Sequence, residues 1–181
     1  MIIWFDYIYL FDLRHFQCAT AEYSENWVKV GIQSFDKGFP LNYEKLFEDS
    51  YARVVGEGIG LSDKGKYFFQ TFYGIFFSKS DEICNKFVDV DMAAQVGVLQ
   101  KSIVHIISFY VAKTDNEYLH SIAMTHSRGQ YDIKPEYYDV WLESLIETVR
   151  KIDPEYEEDI ELAWQLAMTP GIQFMKFHYQ Q

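Results

Sequence analysis

LHSIAMTHSRGQYDIKPEYYDVW, residues 119–141, reads as a short helix, a polar turn and the opening of a second helix. The turn is carried by SRGQYD, and Pro135 suits the first turn of the helix beyond it, where the N–H that proline lacks would have no partner. The stretch also holds two of the five histidines, His120 and His126. They are six residues apart, about 240° round a helix at 100° per residue, so they face different ways and cannot share a metal ion.

Outward from this stretch the chain is helical in pattern. Residues 43–55 place Leu46, Phe47, Tyr51, Val54 and Val55 on one stripe. Ser62 is a good N-cap for a helix over 62–78 that carries Phe68, Phe69, Phe72, Tyr73, Phe76 and Phe77. SDEICNKF gives one or two turns ending at Phe87, and a longer helix over 91–112 turns Met92, Val96, Leu99, Ile103, Ile106 and Ile107 inward. Helices are expected over 115–127, 135–151 and 155–178, with Asp153-Pro154 as the break before the last. Strict alternation is absent, WFDYIYLF near the start being the one possible exception, so the fold class is all-α. Residues 1–40 read as an N-terminal extension packed on or preceding a domain of 41–181. They hold too few Lys and Arg for a helix drawn to anionic lipid.

A length of 181 residues suits one domain with a substantial core, and 49% apolar residues argue against disorder. The net charge of −11 repels phosphate backbones, which disfavours a nucleic-acid partner. Asp6 and Asp12 interrupt the apolar start, so no membrane span is expected, and neither a basic leader nor a cleavage site marks it as a secretory signal. Cys18 and Cys84 form no metal-type spacing and read as free thiols of a cytoplasmic protein.

Zinc needs several convergent ligands, and no HxxxH or HExxH pair exists. Haem asks less of a sequence: one axial histidine and an apolar slot that keeps water from the macrocycle. His126 suits that role better than His120, because Ile122 lies one turn before it on the same face with Ala123 beside it.

At this point four segments, in order, resemble a known family. LHSIAMTH with IKPEYYDVW is similar to the proximal helix and next helix opening of bacterial single-domain haemoglobins and of the globin module of flavohaemoglobins. FYGIFFSKSDEICNKF resembles the globin segment that reaches the phenylalanine on the haem face. DMAAQVGVLQ resembles the start of the distal helix, and DIELAWQLAMTPGIQFM the final helix with its Ala-Trp pair. The resemblance covers roughly residues 43–178 and implies a three-over-three globin fold holding haem b (iron protoporphyrin IX).

Carried over residue by residue, it implies His126 as iron ligand, Phe87, Ile122 and Leu99 as haem contacts, and Tyr73 with Gln95 as the groups facing O2. Gln95 and Leu99 are four apart, so both lie on one helix face about 6 Å apart along the axis. Either Tyr137 or Tyr138 would approach the proximal side, and the final helix lacks the glutamate that flavohaemoglobins pair with that tyrosine. The implied function is reversible O2 binding, as carrier, store or scavenger. The alternatives are a nitric oxide dioxygenase, for which a separate reductase must supply electrons since no flavin- or NAD-binding module follows Gln181, and a gas or redox sensor acting through a partner. NO and CO are the other gases such a site would take.

Overall fold

Several helices begin where the sequence supplies a partner for backbone groups that the helix itself leaves over. The computed structural model describes residues 42–57, 62–112 and 117–181, with the side chains of 108–112 left aside. The expected extension over 1–40, the WFDYIYLF stretch included, lies outside the described residues. In chain order the helices are α1 (Tyr43–Val54), α2 (Asp63–Ser78), α3 (Asp81–Asn85), α4 (Met92–Ala112), α5 (Glu117–His126), α6 (Pro135–Ile152) and α7 (Glu158–Phe177), followed by a 3-10 turn, His178–Gln180. No strand occurs among the described residues, and the all-α expectation holds.

Caps explain the boundaries. Asn42 accepts from the Lys45 N–H, Ser62 from the Gly65 N–H at 2.9 Å, and Ser80 from the Ile83 N–H. Ser62 also donates its hydroxyl to the Val55 carbonyl at 2.6 Å, fastening the end of α1 to the start of α2. Gly56 makes that approach possible: its φ is +107°, and a Cβ there would lie 2.7 Å from the Ser62 hydroxyl oxygen. Pro135 opens α6, as its sequence position suggests. The last helix starts at Glu158 rather than near 155, because Asp153 holds the intervening residues in a turn. Its carboxylate accepts the Glu155 N–H, and its carbonyl accepts that of Tyr156.

The apolar stripes meet in one core. Phe68, Phe69, Phe72 and Ile103 are fully buried, and Val96, Leu99 and Ile106 line the same face of α4. Helix α7 packs against α1, α4, α5 and α6, while α2 packs against α6, α3 and α4. The crossing of α4 with α7 is close at Gly171, where a Cβ would come within 2.7 Å of the Ile106 side chain. None of the described helices is long and apolar enough to cross a membrane.

A buried polar chain joins the first helix to the last. Trp164, fully buried, donates its indole N–H to the Ser50 hydroxyl at 2.9 Å. Ser50 donates in turn to the Asp153 carboxylate at 2.5 Å, and Arg53 approaches both oxygens of that carboxylate at 3.0 Å. Burial alone would raise the Asp153 carboxyl, but hydrogen bonds from Arg53, Ser50 and the Glu155 N–H outweigh it and hold the group below its ordinary value. A carboxylate whose pKa is lower folded than unfolded stabilises the fold fully above about pH 5. That contribution drains as pH falls through the unfolded value of about 3.9 and on towards the folded one. Asp153→Asn should therefore cost about 2 kcal/mol at pH 7, measured by urea unfolding, since Arg53 keeps some access to water. The gap between variant and parent should narrow from pH 5 to pH 3; a gap constant over that range would remove the charge from this account.

Candidate functional site

Helix α2 turns Tyr73 inward, where 5% of its surface stays accessible. Its ring meets the edge of Phe87 at a centroid distance of 5.9 Å, and Phe77 packs on Phe87 at 5.1 Å. Phe87 sits in the turn after α3, held by its own N–H on the Cys84 carbonyl and by the Val90 N–H on its carbonyl. Burial pushes the Tyr73 hydroxyl well above its ordinary pKa, and the Gln95 side chain nearby offsets part of that. Tyr73 thus keeps its proton at neutral pH. The structure brings Tyr73, Phe87 and Gln95 together, although they come from α2, the turn after α3 and α4. Leu99 follows Gln95 by one turn on α4 and is buried.

His126 is the last residue of α5. Its Nδ1 lies 2.9 Å from the Ile122 carbonyl oxygen. A carbonyl only accepts, so Nδ1 carries the proton and Nε2 is left with the lone pair. Surrounding protein lowers the imidazole pKa and the bond to Ile122 offsets part of that, so the neutral ring is favoured at pH 7. Ile122 packs on the core and Ala123 is buried within it. Helix α4, which carries Gln95 and Leu99, packs against both α2 and α5. The helices that carry Tyr73 and His126 thus both pack on α4.

The other histidines stand in different surroundings. His120 is exposed and borders His178 at a ring distance of 5.3 Å, and His105 stacks on Tyr118 at 3.9 Å. His15 lies outside the described residues. Tyr137 turns its hydroxyl towards Glu82 and Lys134, whereas burial alone raises the hydroxyl pKa of Tyr138. Among the described residues no three His, Cys, Asp or Glu side chains converge as a cage for a metal ion. Two shallow grooves, one beside Arg150 and Glu161 and one along His120 and Gln130, involve neither Tyr73 nor His126.

One part of the site escaped sequence reasoning. The turn after His126 is built from backbone bonds: Ile133 N–H to the His126 carbonyl at 3.0 Å, Asp132 N–H to Ser127 at 3.0 Å, and Tyr131 N–H to Thr125 at 3.2 Å. Asp132 has φ +52°, a left-handed conformation that aspartate tolerates better than most residues. Tyr179 donates its hydroxyl to the Asp132 carboxylate at 2.7 Å. Lys86 and Glu82 reach the same turn from α3 and its end. The signal available in SDEICNKF was the four-residue spacing of opposite charges, which marks a common face without naming what it touches.

No family model matches the chain, and no curated protein matches it. Among solved structures it is similar to a protein from Pseudomonas aeruginosa PAO1 whose crystal structure is described as structurally highly homologous to a human haemoglobin. The identity is 29% and the TM-score 0.68, and the match covers 77% of this chain and 100% of that one. The fold is globin-like, as the order of the four segments implied.

Proposed function

We propose that this globin-like chain is a haem protein that holds haem b through His126 and binds O2 reversibly. The observation that carries the proposal is that two chemistries sit on helices that both pack against α4. His126 offers a neutral imidazole with Nε2 as its lone-pair nitrogen, and Tyr73 with Gln95 offers protonated donors in a buried, largely aromatic setting. These residues suit a group that takes one axial nitrogen and otherwise wants apolar walls. Haem, when bound, supplies an iron with one position left open for a diatomic gas.

Each residue then has a defined task. Ile122, through its carbonyl, fixes the His126 tautomer. Phe87, Leu99 and Ile122 supply apolar contact and exclude water. Tyr73 holds its proton because burial penalises the phenolate, so it remains a donor for an electron-rich gas ligand. Gln95, near that hydroxyl, offers an amide donor as well. Neutral CO gains less from such donors than O2 does. The same donor pair serves a nitric oxide dioxygenase, which differs in needing a separate reductase. Nitrate formed on mixing with nitric oxide, and sustained by a reductase, distinguishes the two.

Protein purified with haem should show a Soret band that shifts between ferric, ferrous, O2 and CO forms; its absence after haem addition overturns the proposal. His126→Ala should lose haem on a desalting column, whereas His120→Ala should retain it as the parent does. Tyr73→Phe should speed O2 dissociation in stopped flow by roughly tenfold to a hundredfold, the worth of one hydrogen bond to a charged acceptor. An unchanged rate removes Tyr73 from the ligand side.

A further inference from the structure

The turn that follows His126 is gripped from outside by one face of α3 and its end. Lys86 places its Nζ 2.9 Å from the Tyr131 carbonyl oxygen and 3.1 Å from that of Asp132, so one ammonium spans the two carbonyls around the left-handed residue. Four residues earlier, Glu82 pairs with Lys134 at 2.7 Å, and the Tyr137 hydroxyl lies beside that pair. Glu82 and Lys86 share a face because residues four apart in a helical turn stack one above the other. Together they seize both ends of the segment 131–134.

That segment leads directly to the imidazole. The Ile133 N–H is bonded to the carbonyl of His126 itself, and the Tyr131 N–H to that of Thr125. The Tyr131 ring stands perpendicular to the His126 ring at 6.4 Å. On its other side Lys86 is bonded along the chain to Phe87, the residue packed on Tyr73. We propose that Lys86, with Glu82 as its second anchor, is a positioning residue that fixes the turn after His126 and so sets the orientation of the His126 ring. The inference rests on the haem reading above and adds to it a link between the Phe87 side of the site and the histidine side. Lys86 acts through the two carbonyls rather than on the ring.

The test uses the full chain with haem bound and reads two quantities. Hydrogen exchange at the Asp132 and Ile133 amides should quicken several-fold, up to roughly tenfold, in Lys86→Ala, because a local opening then needs to break fewer contacts. The iron–histidine stretching band of the ferrous protein, read by resonance Raman, should shift in Lys86→Ala and return towards the parent in Lys86→Arg, which keeps the charge. Glu82→Lys and Lys134→Glu should each quicken the same exchange, and the two together should restore it. Unchanged exchange in Lys86→Ala shows that there is no latch and overturns the proposal. Quicker exchange with an unshifted band overturns the positioning of His126. A parent protein that takes up no haem overturns the haem reading instead, and exchange measured on it still decides the latch.

Discussion

The indole N–H of Trp164 is the donor on which the arrangement of the helices turns. A fully buried tryptophan must find an acceptor, and the one it finds, Ser50, lies on the first described helix. Ser50 can accept because its own proton goes to Asp153, and Asp153 can sit 5% exposed because Arg53 meets its charge. Each group satisfies the next, so losing one member strands the others. The chain ties α1, the corner between α6 and α7, and α7 into one unit. Helix α7 in turn supports α4 and α5, which carry Gln95 with Leu99 and Ile122 with His126.

The rings around that chain add direction to the polar bonds. Phe47 meets Trp164 edge-on at 4.8 Å and Phe68 stacks on it at 5.8 Å, so two rings hold the indole whose N–H goes to Ser50. A second set, Phe72, Tyr73, Phe76, Phe77 and Phe87, continues along α2 towards the site. Helix α2 thus contributes rings both to the structural anchor, through Phe68, and to the candidate ligand side, through Tyr73. The high aromatic share of the sequence finds its use there.

How far the sequence reveals this depends on whether the cause is local. Ser62 and Pro135 announce helix starts because capping and the missing N–H act within one turn. The α4 stripe announces itself because burial repeats with the helix period, and Gln95 with Leu99 follows from the same period. The hydrogen bond between Ser50 and Asp153 spans 103 positions, and neither residue carries a mark of the other. The grip of Lys86 on the turn after His126 is hidden for a different reason. It is made to backbone carbonyls, which every residue possesses, so no side-chain pattern at 131 or 132 could have flagged it. The tautomer of His126 is likewise a matter of a carbonyl one turn back.

Helices α4 and α7 come close where Ile106 meets Gly171. With no side chain at 171, the Ile106 side chain takes the space a Cβ would fill, and α4 lies that much closer to α7 there. Gln95 lies eleven residues from Ile106, about 16 Å along the axis. A tilt of about 5° about that point moves Gln95 by roughly 1.4 Å, a large fraction of a hydrogen-bond length. A side chain at 171 would press on Ile106, on the same helix that carries Gln95.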